Sequence, residues 1–191
     1  MKILTINNKK EEKFLRQKTA DFDVSLLRNP SKKKEIQEII KRMRETMTAA
    51  IGIGLSANQI GLNLRLFVAQ IPENRQFQEV RPPEINPQYL GGRTSKKFYA
   101  IFNPEIIKFS EKKTIMEEGC LSAPGIYGSV ERPEKITLAG YDKNGKKIKI
   151  KAFGLLARVF QHETDHLNGV LFIDKCKKIY KIPAVQLTGQ R

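Results

Sequence analysis

The residues best equipped for chemistry lie late in the chain, in the run Val159-Phe160-Gln161-His162-Glu163-Thr164-Asp165-His166-Leu167-Asn168-Gly169, which holds both of the protein's two histidines. Read as a helix, Leu155, Val159, His162 and His166 follow at steps of four, three and four, so an apolar stripe runs into two imidazoles stacked on one face. That spacing suits a metal ion. In His-Glu-x-x-His the two imidazoles bind the ion, while the Glu, too far round the helix to ligate, handles the proton of a water. Asn168-Gly169 predicts the helix stop, since both residue types tolerate the left-handed conformation that follows a C-cap.

Two imidazoles leave a catalytic site one protein ligand short. The longer signature His-Glu-x-x-His-x-x-Gly-x-x-His fits at Gly169 but ends on Phe172, which cannot bind a metal. An endopeptidase could take Asp174, the sole side-chain carboxylate after His166, as its third ligand. Upstream, Cys120 stands out instead. A basic RNA-binding module with a closed structural site would need four ligands, with Cys176 as the remaining candidate.

The elements that must position these groups are legible in part. A chain of 191 residues supports one compact domain, taken as 1–174, followed by a short basic tail at 175–191. Ser31 predicts the cap of an amphipathic helix of about five turns carrying Ile36, Ile39, Ile40, Met43, Met47 and Ala50 on its apolar face. It leads into Gly52-Ile53-Gly54-Leu55-Ser56-Ala57-Asn58-Gln59, which completes neither the dinucleotide fingerprint nor the phosphate loop, so no nucleotide cofactor is expected. The tract reads as a turn or a substrate-lining strand. Leu64 to Ile71 predicts a buried strand and Pro72 to Lys97 a long polar loop. Short strands follow at Tyr99–Asn103, Glu105–Phe109 and Lys113–Met116, then a hairpin, Lys135–Tyr141 with Lys146–Ala152, and a short strand at Val170–Ile173. The order predicts an α+β fold: antiparallel strands packed around a central metal-binding helix, with an N-terminal amphipathic helix.

Lys plus Arg number 35 against 20 Asp plus Glu, a formal charge of +15, which favours polyanionic partners. No stretch reads as a signal peptide or a membrane span, so a cytoplasmic protein is expected. Two cysteines make no disulfide framework, and Cys120 beside a metal motif reads as thiolate chemistry.

Taken together and in this order, the Gly-x-Gly tract ending in Gln59, Glu117-Glu118-Gly119-Cys120-Leu121-Ser122 and Gln161-His162-Glu163-Thr164-Asp165-His166 closely resemble the peptide deformylases, and the resemblance covers most of the chain through Asp174. It implies an enzyme that removes the N-formyl group from the initiator methionine of nascent chains. It further implies that Cys120, His162 and His166 bind one divalent metal ion, natively iron(II), with zinc, nickel or cobalt also able to occupy the site. Glu163 is then the proton carrier, and the Gln59 amide and Leu121 backbone N–H the donors to the formyl oxygen. The backbone of Ile53, Gly54 and Gly119 would hold the peptide, and Ile53, Leu155 and Val159 the methionine side chain. Gln161 is expected to orient a ligand histidine and Asp165 to pair with Arg132. Ser56 stands where Ala is frequent in the family, which adds a hydrogen bond to the loop. The long C-terminal helix that docks some members on the ribosome is expected to be missing or shortened, leaving Lys175 to Arg191 and ribosome contact through the general basic surface.

Overall fold

The structure, a computed structural model, describes residues 1–72 and 96–181. The loop expected from Pro72 to Lys97 lies, but for its ends, outside the described residues, as does the tail beyond Lys181. The fold is α+β, with antiparallel strand pairing throughout.

Two helices open the chain. Helix α1 (Lys9–Leu15) starts where the Asn8 side chain accepts from the Lys10 and Glu11 N–H groups. Helix α2 (Pro30–Ala49) begins earlier than the sequence suggests: Asn29, not Ser31, is the cap, accepting from the Ser31 and Lys32 N–H groups. Pro30 then takes the first helical position, where its missing N–H costs nothing. The face of α2 carrying Ile36, Ile40, Met43 and Met47 is buried against Leu55, Leu66, Val68 and Phe102.

The strands in chain order are β1 (Gly54–Ser56), β2 (Leu66–Pro72), β3 (Lys96–Phe109), β4 (Lys113–Cys120), β5 (Ala123–Pro133), β6 (Lys135–Tyr141), β7 (Lys147–Phe153) and β8 (Cys176–Lys181). They form a five-stranded sheet ordered β1-β2-β3-β6-β7 and a three-stranded sheet ordered β4-β5-β8. Among the described residues β1 and β7 are the edge strands of the first sheet and β4 and β8 those of the second. The two strands expected around Pro104 are one, β3, interrupted by register shifts between Phe102 and Glu105 and between Ile106 and Lys108. At the first of these Asn103 adopts a φ of 47° and exchanges two hydrogen bonds with the Phe22 backbone, from its Nδ2 at 2.9 Å and to its Oδ1 at 2.8 Å. Val170–Ile173 is not a strand but leads into a 3-10 turn (Phe172–Lys175), held where the Asp174 carboxylate accepts from the Leu171 N–H. The domain does not stop at residue 174, because β8 pairs with β5 along Ile126–Val130.

Helix α3 (Gly154–Leu167) lies between the sheets and presents a different chemistry to each. Leu156, Ala157, Val159, Phe160 and Leu167 are buried in an apolar cluster with Phe67, Ala69, Ile101, Ile136 and Leu138 of the five-stranded sheet. Arg158, His162 and Asp165, at steps of four and three, face polar partners on β4 and β5. The helix ends as its sequence predicts, with Asn168 as C-cap and Gly169 at a φ of 75°. A side chain at Gly169 would also place its Cβ 2.3 Å from the Arg16 carbonyl oxygen. Gly169→Ala is therefore expected to destabilise the protein by about 2–3 kcal/mol, read as a lowered midpoint in thermal or urea unfolding; an unchanged midpoint would show that the turn after α3 is not held this tightly.

Candidate metal centre

Cys120 closes β4, and His162 and His166 sit one turn apart on α3. Their side chains converge: Cys120 Sγ lies 3.1 Å from His166 Nε2, and that nitrogen lies 3.2 Å from His162 Nε2. The three donor atoms all fall within 4.8 Å of one another. Two nitrogens held at ordinary bond length by one tetrahedral ion stand about 3.3 Å apart, so the histidine pair is already spaced for a shared metal. Burial pushes the Cys120 thiol up, but His166 and His162 outweigh it and hold it well below its usual range, toward the thiolate a metal requires.

Behind the histidines sits a buried carboxylate, Glu118. It accepts from Arg132 Nε at 2.6 Å and Nη2 at 2.9 Å, from Arg158 Nη1 at 2.9 Å, and from His162 Nδ1 at 2.9 Å. The last bond puts the His162 proton on Nδ1 and leaves Nε2 its lone pair, the orientation a metal-bound imidazole depends on. Burial alone would raise the Glu118 carboxyl, yet Arg132 and His162 hold it well below the usual carboxylate range. Arg132 also reaches Asp165 at 2.5 Å, and Lys175 covers Asp165 from the surface. Arg158 goes on to donate to the Val130 and Thr114 carbonyls, tying α3 to β5 and β4.

The sequence reading finds the Asp165–Arg132 pair but gives Gln161 the wrong task. The Gln161 amide donates to the Pro133 and Ala157 carbonyls rather than to a histidine. Glu118 does that work. One signal pointed to it: residues two apart in a strand share a face, so Glu118 and Cys120 had to look the same way. Arg158 left no comparable trace.

In front of the histidines, Glu163 turns toward β1. The Ser56 hydroxyl donates to its Oε2 at 2.6 Å, and burial pushes the Glu163 carboxyl up against the pull of His162 and His166. Gln59 lies across the cluster: its Oε1 accepts from the Ser56 N–H at 2.9 Å, and its Nε2 donates to Ser122 Oγ at 3.0 Å with Cys120 Sγ 3.5 Å away. Leu121 sits in the turn after Cys120. The N-terminal segment fastens both loops, the Leu4 N–H to the Gln59 carbonyl and the Ile6 N–H to the Ser122 carbonyl.

Among the remaining expected site residues, Ile53, Leu155 and Val159 meet in the cluster beneath β1, Val159 fully inside it and the other two half-buried at its margin. At Gly119 a Cβ would meet the Tyr127 ring at 2.8 Å. Asp174 pairs with Arg16, and Cys176 donates to the Phe172 carbonyl, so neither belongs to the cluster of three donors.

Comparison with known proteins agrees with this geometry. A family model described as polypeptide deformylase matches residues 1–181. A peptide deformylase of Halothermothrix orenii is 43% identical over 156 residues, covering 78% of this chain and 87% of that protein. One of Roseiflexus castenholzii is 40% identical over 178 residues, covering 93% and 89%. Among solved structures, a probable peptide deformylase from Synechococcus phage S-SSM7 superposes with a TM-score of 0.69 at 38% identity, covering 92% of this chain and 99% of that one. A Met-Ala-Ser-bound class I type b peptide deformylase from Acinetobacter baumannii gives 0.73 at 27% identity, covering 92% and 97%.

Glu118→Gln removes the charge that two buried guanidiniums share and weakens the acceptor for His162. Zinc affinity, read by chelator competition, is expected to fall by about 10- to 100-fold, with a loss of about 3 kcal/mol in stability. Wild-type zinc affinity in that variant would remove Glu118 from the orientation of the site.

Proposed function

The chain belongs to the polypeptide deformylase family, and on that premise we propose that Cys120, His162 and His166 hold its one divalent metal ion while Glu163, Gln59 and Leu121 carry the chemistry. The enzyme is a metal-dependent hydrolase that removes the N-formyl group from newly made polypeptides. The observation that carries the residue assignment is the convergence of one sulfur and two Nε2 atoms, with a buried carboxylate one residue along the same helix. We propose iron(II) as the native ion, with zinc, nickel or cobalt able to replace it, because a thiolate with two imidazoles suits all of these.

When bound, the ion acidifies water and polarises the formyl oxygen. Glu163 takes the proton as a water oxygen forms its bond to the formyl carbon. Charge then develops on the formyl oxygen, where the Gln59 amide and the Leu121 N–H donate, one such donor typically being worth about 3 kcal/mol. The proton on Glu163 passes to the leaving amine as the carbon–nitrogen bond breaks, giving formate and a free N-terminus. The edge strands β1 and β4 offer the peptide a place between the two sheets, strand on strand. Backbone groups of Ile53, Gly54 and Gly119 would pair with it. The Ile53 carbonyl accepts from the Gln70 N–H, which ties this residue to β2 beside the proposed peptide path. Ile53, Leu155 and Val159 supply the apolar wall for the methionine side chain.

Among the described residues no helix is long and apolar enough to cross a membrane. We place the enzyme in the cytoplasm, meeting the ribosome through basic surface such as Lys147, Lys149 and Lys151, exposed in alternation along the edge strand β7. Co-sedimentation with ribosomes should weaken steeply as salt rises; no salt-dependent binding would remove that contact.

The test of the catalytic assignment is formate release from a formyl-Met peptide by anaerobically prepared protein. A chelator should abolish it. Glu163→Ala should keep the metal and lose turnover, and Cys120→Ala should lose the metal itself. Near-normal release by Glu163→Ala would overturn the role given to Glu163.

A further inference from the structure

The carboxylate of Glu163 is held by β1 rather than by its own helix. Ser56 is fully buried, and its hydroxyl oxygen lies 2.6 Å from Glu163 Oε2 and 3.0 Å from the Glu163 main-chain oxygen. Two residues earlier on the same face of the strand, Gly54 lies against the other carboxylate oxygen. A Cβ at Gly54 would stand 2.2 Å from Glu163 Oε1 and 2.9 Å from its carboxyl carbon. One carboxylate oxygen is thus tied by a hydroxyl, and the other rests in the space a side chain at 54 would fill. Among the described residues Oε1 has no hydrogen-bonding partner, so it is the oxygen left to receive a proton.

We propose that Gly54 and Ser56 form a seat that positions the Glu163 carboxylate for proton transfer, with Ser56 as a positioning residue for the reaction. The idea rests on the proton-carrying role given to Glu163, and it assigns Gly54 a task besides pairing with the peptide. It follows from two independent features, a short hydrogen bond and an excluded Cβ.

Ser56→Ala should lower kcat about 10-fold while KM and bound metal stay at wild-type values. Ser56→Thr, which keeps the hydroxyl, should restore most of the rate. Gly54→Ala, which crowds the carboxylate directly, should lower kcat further. In a Glu163→Ala background, adding Ser56→Ala should cost nothing more, since the group being positioned is gone. A readout independent of turnover is the carboxyl 13C resonance of Glu163 in metal-free protein, assigned by its disappearance in Glu163→Gln; it should move on Ser56→Ala. Unchanged kcat together with an unmoved resonance in Ser56→Ala overturns the seat and leaves the role of Glu163 standing. High activity in Glu163→Ala overturns that role and the proposal with it.

Discussion

The hydrogen bond from His162 Nδ1 to Glu118 is the interaction on which the geometry of the site depends, because it decides which imidazole nitrogen faces Cys120 and His166. A buried carboxylate cannot be kept ionised there without compensation, and Arg132 and Arg158 supply it from two directions. Replacing such a cluster by well-fitted apolar side chains is often neutral or even favourable for stability. Its value lies in direction. Apolar contacts would fill the same volume without holding the ring at one angle and one tautomer. Both arginines also spend their remaining donors across element boundaries, on Asp165, Val130 and Thr114, so the charges that balance Glu118 also fasten β4 and β5 to α3.

Helix α3 can do this only because its faces are chemically divided. The apolar side, centred on Phe160 with Phe67 and Tyr99 rings 5.5 and 5.2 Å away, anchors the helix to the five-stranded sheet. The polar side meets the three-stranded sheet. His162 and His166 stand at the boundary between these two sides. A ligand pair deeper in the apolar side would be out of reach of Glu118, and one further out would lose the burial that strengthens each electrostatic contact.

How much of this was legible in the chain follows from the range of each interaction. The helix from Gly154 to Leu167, its stop at Asn168-Gly169 and the hairpin of β6 and β7 are specified by residues within a few positions of one another, and the structure has them where periodicity put them. Strand β5 was not assigned, since Pro124, Gly125 and Gly128 mask its pattern; Gly128 is small because Cys176 of β8 packs over it, a neighbour 48 positions away. The same limit governs the site. His162 and His166 announce themselves by spacing, whereas Cys120 needed family resemblance to be preferred over Asp174. Glu118 showed only as a residue on the strand face of Cys120, Arg158 could be recognised only once β4 lay beside α3, and Ser56, read as an extra hydrogen bond for its own loop, instead spends that bond on Glu163, 107 positions along the chain.

The two sheets therefore contribute unlike parts to one reaction centre. From the three-stranded sheet come the sulfur at the end of β4 and, two residues earlier on the same face, the carboxylate that aims a histidine. The five-stranded sheet contributes β1, where strand alternation again decides roles: Leu55 points into the cluster beneath α2, while Gly54 and Ser56 point at Glu163. In both strands residues two apart share a face, Glu118 with Cys120 and Gly54 with Ser56.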